Sequence, residues 1–171
     1  QNSAITDCLR RGGAVVVLGS GDPGYEYGLG ELASRFPRSV GVRIGYDEPL
    51  SHRMYAGGDL VLVPSRFEPC GLTQMYGLRY GAVPLVAATG GLRDSVVDAS
   101  PENLANGTAT GFTFGDPSFG GAIDAGELGF ALGRAGDLYA DRAAWRRLRA
   151  QGMRAPVDWG VSAARYAELF R

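Results

Sequence analysis

From Pro64 to Gln74 the chain reads Pro-Ser-Arg-Phe-Glu-Pro-Cys-Gly-Leu-Thr-Gln, and this stretch gathers the groups best suited to chemistry. Glu68 offers a carboxylate that can accept two hydroxyl hydrogen bonds in one plane, which matches the vicinal hydroxyls of a hexose. Gly71 lets the backbone approach a ligand closely. Leu72 and Thr73 follow, and their N–H groups open a helix predicted to begin around Gly71-Leu72. Free N–H groups and the positive dipole end of a helix make an anion site suited to a phosphate. The opposing reading is a buried turn in which Glu68 caps the helix. Cys70 reads as a small packed residue and not a nucleophile, because no histidine lies near it in sequence. Arg66 is either a phosphate clamp or an ion partner for Glu68.

Three other turns could contribute. Tyr46 follows an apolar run and could stack a flat ring on a purine; the alternative is a tyrosine half-buried in a loop. Thr89-Gly90-Gly91 either permits close approach to a ligand or simply reverses the chain. Gly19-Ser20-Gly21-Asp22-Pro23-Gly24 matches the G-x-G-x-x-G of dinucleotide sites, with Gly19 and Gly21 in place. No acidic residue ends the next apolar run, where a ribose partner belongs, and Arg43 stands there instead. Pro23 and the stretch to Gly28 are also expected to postpone the helix, so a nicotinamide site is disfavoured. Asp94 and Asp98 read as helix caps, His52 as structural, and Trp159 as core.

These turns need strands and helices to hold them. Ala14–Gly19, Leu60–Val63 and Val83–Ala87 are unbroken apolar runs, as expected of parallel strands covered on both faces. Val40–Ile44 alternates less cleanly, and Gly111–Phe114 is a short final strand. Helices are predicted over 3–11, 29–36, 49–56 and from Gly71-Leu72 to a C-cap at Gly81. Residues 90–106 read as loop with one helical turn. Helices over 121–140 (with Ile123 on its apolar side), 141–151 and 161–170 close the chain. The Arg146/Arg147/Arg149 face of the middle one is expected to be solvated. Strands alternating with helices predict an α/β fold: a Rossmann-like parallel sheet with helices on both faces. Each turn then leaves the carboxyl edge of the sheet, where ligands of such folds bind.

The 171 residues suit a single domain, and 17 basic against 18 acidic side chains give a net charge of −1. No basic stripe points to nucleic acid, and no apolar run nears the twenty residues that cross a membrane. Two cysteines, Cys8 and Cys70, build no disulfide framework, which suits a reducing cytoplasm. One histidine cannot build a metal site alone.

Three strings together, Ser65 to Gln74, Gly41-Val42-Arg43-Ile44-Gly45-Tyr46-Asp47-Glu48, and Thr89-Gly90-Gly91-Leu92 with Asp94, resemble the C-terminal half of bacterial glycogen synthases and plant starch synthases. These are retaining glycosyltransferases of the two-domain GT-B architecture. The resemblance implies glucosyl transfer from ADP-glucose to the non-reducing end of an α-1,4-glucan, with no cofactor beyond the donor substrate. It implies that Glu68 holds the donor glucose at the reacting centre and that Tyr46 stacks on adenine. Cys70, Gly71, Leu72, Thr73, Thr89, Gly90 and Gly91 would surround the sugar and phosphates, and the Gly19–Gly21 loop would line the nucleotide side. Related transferases carry a second Glu eight positions after the first; here that residue is Tyr76, as in the glycogen and starch synthase branch.

The resemblance also implies an acceptor-binding N-terminal domain and one further, central strand ahead of residue 3, bearing a phosphate-clamping Arg and Lys. The expectation is a fragment whose sheet has a gap between Ala14–Gly19 and Leu60–Val63, closed by direct pairing or filled by another segment. The rival readings are a nucleotide-binding fragment without turnover of its own and a GT-B transferase using a UDP- or GDP-sugar.

Overall fold

The computed structural model describes residues 4–115 and 124–170, so the predicted position of Ile123 lies outside it. A first unit comprises α1 (Ala4–Arg10), β1 (Val15–Gly19), α2 (Pro23–Arg35), β2 (Val40–Ile44) and α3 (Glu48–Gly57). In it β1 and β2 pair in parallel, with Val15 opposite Val40 and Gly19 opposite Ile44. A second unit comprises β3 (Leu60–Val63), α4 (Thr73–Tyr80), β4 (Val83–Ala87), α5 (Gly90–Ser95), α6 (Pro101–Asn106) and β5 (Phe112–Phe114). Its strands pair in parallel in the order β3-β4-β5. The chain continues through α7 (Ala125–Ala140), α8 (Arg142–Met153) and α9 (Trp159–Leu169).

The α/β class and the parallel pairing are as predicted. The five strands nevertheless form two sheets: β1 and β3 are not hydrogen-bonded neighbours. Direct pairing across the expected gap is therefore not how this chain is built, and among the described residues no strand precedes β1.

Period-two alternation divides the second sheet between two cores. Val83, Leu85 and Ala87 of β4 face Phe112, Phe114 and, from α7 and α8, Ala131, Ala135, Trp145 and Leu148. Val86 points the other way, joining Val63 with Leu92 and Val96 of the α5 segment. On that face α4 lies close because it carries Gly77, where a Cβ would collide with Val61 and with the Ala82 carbonyl. Arg134 of α7 ties this unit together. Its guanidinium donates to both carboxylate oxygens of Asp98, at 3.3 and 2.9 Å, donates to the Ala99 carbonyl, and lies over the Phe112 ring.

Several expectations need correction. The helix after Gly21 starts at Pro23, not Leu29, because Asp22 accepts hydrogen bonds from the Gly24 and Tyr25 N–H groups and Pro23 fills the first turn. Residues 90–106 hold two short helices, the second capped by Ser100 ahead of Pro101. Asp98 is no cap; besides Arg134 it accepts from the Thr113 N–H and hydroxyl. Asp94 lies inside α5, whose N-cap is Thr89. Arg149 is not free surface: its Nε donates to the Gly81 carbonyl at 2.8 Å, binding α8 to the end of α4. Trp159 is 80% exposed, and α9 buries none of its residues. β1 and β3 are only partly covered, with Val16 exposed on β1 and only Val63 fully buried on β3.

Candidate functional site

Glu68 lies in the loop between β3 and α4 and is half-buried. α4 has no side-chain cap at its N-terminus, so Glu68 does not cap it. None of the described ion pairs joins Arg66 to Glu68, and Arg66 is exposed. Gly71 adopts φ 76°, a left-handed conformation, and any Cβ there would lie 2.6 Å from Gln74 Oε1. The turn between Glu68 and Thr73 therefore depends on glycine at this position. Cys70, expected to be packed, is exposed; its backbone carbonyl accepts from Gln74 Nε2 at 3.1 Å and its thiol donates to the neighbouring Gly71 carbonyl at 3.8 Å.

The Thr89-Gly90-Gly91 turn after β4 is pressed against this loop. Gly91 N–H donates to the Glu68 carbonyl at 3.1 Å. A Cβ on Gly90 would collide with that same carbonyl, and one on Gly91 with the Cys70 backbone. The absence of side chains at 90 and 91 thus serves contact between two protein turns. Together the structure brings Glu68, Cys70, Gly71, Leu72 and Thr73 into one backbone-locked cluster with Thr89, Gly90 and Gly91.

A second cluster forms at the end of the β1–β2 sheet. Gly45 N–H donates to the Gly19 carbonyl at 3.0 Å, joining the two loops. Gly21 N–H donates to Glu26 Oε1 at 2.8 Å, holding the glycine turn on the first turn of α2. Tyr46 follows Gly45 with its ring 88% exposed, and its hydroxyl donates to Glu48 Oε2 at 3.2 Å. That hydrogen bond, with the negative charge of Glu48, raises the Tyr46 pKa above its ordinary value of 10.0 and keeps the phenol protonated. The two clusters share no described hydrogen bond.

An aromatic seam links α3 to α4. His52 Nδ1 lies 2.8 Å from the Tyr80 hydroxyl, and the Tyr55 ring stacks on Tyr80 with centroids 6.1 Å apart. Tyr76, at the position of the second Glu in related transferases, packs against His52 and Tyr55 with centroids 5.6 and 5.7 Å away. A carboxylate at 76 would face these rings. The spacing His52-x-x-Tyr55 against Tyr76-x-x-x-Tyr80 is legible as one face on each helix, but which helices meet is not a local property. A surface depression between α6 and α8 includes none of the sequence-predicted site residues.

No family model matches the chain. The glycogen synthase of Cereibacter sphaeroides is 55% identical over 170 residues, an alignment covering 98% of this chain and 34% of that protein. That of Jannaschia sp. is 55% identical over 163 residues, covering 95% of this chain and 33% of the relative. The catalytic domain of starch synthase IV from Arabidopsis thaliana, solved with ADP and acarbose, superposes with a TM-score of 0.84 at 38% identity. It covers 98% of this chain and 34% of that one.

Over nearly its whole length the chain is similar to glycogen and starch synthases. It spans about a third of the length of the curated relatives it matches. An Anabaena protein, HepE, solved with UDP, has a TM-score of 0.66 at 18% identity over 98% of this chain and 44% of its own; this likeness is one of fold. Within the glycogen and starch synthase relationship, the E-P-C-G-L-T-Q and T-G-G strings are the two turns that the structure locks together. Gln74 and Ser95, which do the locking, carried no sequence signal beyond lying at the end of one string and just after the other.

Proposed function

We propose that this chain supplies the donor site of an ADP-glucose:α-1,4-glucan glucosyltransferase of the retaining class. The observation that carries the reading is the uncapped N-terminus of α4 beside Glu68, which belongs to the same locked turn. The names of the relatives support glucan synthesis, and the ADP in the starch synthase IV structure supports an adenine nucleotide. In this reading Tyr46 stacks on the base, the N–H groups of Gly71, Leu72 and Thr73 receive the distal phosphate, and Arg66 adds positive charge. Glu68 accepts hydrogen bonds from the hexose hydroxyls. We assign no resident cofactor, and we place the protein in the cytoplasm.

The reaction breaks the bond between the anomeric carbon and the diphosphate oxygen. The glucan 4-hydroxyl oxygen bonds to the same face of that carbon, and its proton passes to the departing diphosphate. Retaining glycosidases instead use two carboxylates about 5–5.5 Å apart, and Tyr76 leaves position 76 without one. Donors aimed at the developing diphosphate charge are worth about 3 kcal/mol each. The acceptor domain and further clamping residues belong to a longer protein in this reading, so the isolated chain binds nucleotide weakly and transfers no glucose.

Titration calorimetry with ADP, ADP-glucose, UDP and UDP-glucose tests this. ADP-glucose is expected to bind more tightly than ADP, and Glu68→Gln to abolish that preference while leaving ADP unchanged. Tighter binding of the uridine ligands would establish the alternative donor class, and glucan synthesis by the 171-residue chain alone would refute the division of labour.

A further inference from the structure

Gln74 is completely buried in the first turn of α4, an unusual place for an amide side chain. Its Nε2 lies 3.1 Å from the Cys70 carbonyl, 2.9 Å from the Gly71 carbonyl and 3.1 Å from Ser95 Oγ. The two backbone acceptors determine the amide orientation, since an oxygen in that place would face two carbonyl oxygens. Ser95, at the end of α5, donates a hydrogen bond from its hydroxyl to the Gly91 carbonyl at 2.6 Å. Gly91 N–H in turn donates to the Glu68 carbonyl.

These bonds close a ring. It runs from Gln74 to Ser95, to Gly91, to Glu68, and back through the chain and the Cys70 carbonyl to Gln74. Gln74 Oε1 is buried without a described hydrogen-bond partner. An unpartnered buried acceptor is costly, so the amide is not explained as a simple core filler. A Leu or Met would fill similar space without burying a polar group.

We propose that Gln74 and Ser95 are positioning residues that hold the Glu68–Thr73 turn in register with the Thr89–Gly91 turn, preorganising the donor site before ligand arrives. The proposal rests on the donor-site reading above. Neither side chain touches the ligand in this scheme. Gln74 acts by fixing the carbonyls of Cys70 and Gly71, which orients the peptide N–H groups that follow them. Ser95 acts by coupling that amide to the glycine turn. A site assembled in advance binds more tightly because less ordering remains to be done on binding.

The test uses four proteins: the natural chain, Ser95→Ala, Ser95→Thr and Gln74→Met. Calorimetric affinity for ADP-glucose is compared with the thermal midpoint and with amide hydrogen exchange at Gly91. Ser95→Ala removes both the hydrogen bond accepted from Gln74 and the one donated to Gly91, and is expected to weaken binding about three- to tenfold, with the midpoint moved by no more than about 3 °C. Gly91 exchange should accelerate. Ser95→Thr, which keeps the hydroxyl, should restore affinity and exchange protection, whereas a merely structural role would lower the midpoint without changing the affinity of the folded protein. Gln74→Met should match or exceed the Ser95→Ala loss; should it fail to fold, the serine pair alone decides. Unchanged affinity in Ser95→Ala, with the natural chain binding normally, overturns the positioning role and leaves the donor-site reading standing. A natural chain that binds no ADP-glucose overturns both.

Discussion

β1 (Val-Val-Val-Leu-Gly) and β4 (Val-Pro-Leu-Val-Ala) are both five-residue apolar strands in parallel sheets, yet their surroundings differ sharply. β4 has a strand on each edge and helices over each face, and all five of its residues are buried. β1 pairs only with β2, and Val16 is 61% exposed. The helices follow suit: α2 and α3 bury none of their residues, while α4 buries Gln74, Gly77 and Leu78. A strand's composition admits it to a sheet, but neighbours on its edges and faces decide whether it is covered. The candidate site divides along the same line. Its locked cluster, around Glu68 and Gly91, stands on the well-packed unit, and its exposed ring, Tyr46, stands on the sparsely packed one.

The strongest challenge to this contrast is mutational. Phe112→Ala removes a ring at 1% exposure that stacks on Trp145 and lies beneath Arg134, and should cost about 3–5 kcal/mol in chemical denaturation. Val17→Ala in β1 should cost less than about 1 kcal/mol, because its side chain is only partly withdrawn from water. Equal losses would erase the distinction between the two units. A smaller effect sharpens it: Asp98→Ala leaves the Arg134 guanidinium without its carboxylate and should destabilise by about 2 kcal/mol.

The smallest expected effect concerns a cap at the entrance to α8. Asp141 accepts hydrogen bonds from the Ala144 and Ala143 N–H groups, which lower its pKa below the ordinary 3.8. A lowered pKa in the folded state contributes stability above pH 3.8, lost as pH falls through the lowered value. Asp141→Asn keeps an acceptor but removes the titration. Its stability relative to the natural chain should therefore be lowest at neutral pH and should converge in acid, read by thermal unfolding across pH 2–7 buffers.

Much of this was legible in the sequence. Val40–Ile44, Leu60–Val63 and Val83–Ala87 are strands with the predicted limits, and Gly81 ends α4 in the left-handed conformation. Apolar runs bounded by turn residues and a C-cap glycine are local signals, read without knowing the fold. The failures were of two kinds. Asp22-Pro23 and Ser100-Pro101 are both explicit helix starts that the spacing alone did not bring out; after Asp22 the glycines masked the cap. Trp159 exposed, Cys70 exposed and Arg149 bound to Gly81 all depend on which elements meet, which no spacing specifies. At the site, the strings located both turns, but their mutual contact through Gly91, Ser95 and Gln74 became visible only in three dimensions.

The most direct test of the donor site is a nitrogen-15 amide NMR titration of the chain with ADP-glucose. The account predicts that the largest shifts fall on Gly71, Leu72, Thr73, Gly90 and Gly91, with Tyr46 moving in step. Shifts concentrated instead along α6 and α8, with residues 68–73 unmoved at saturation, would contradict it.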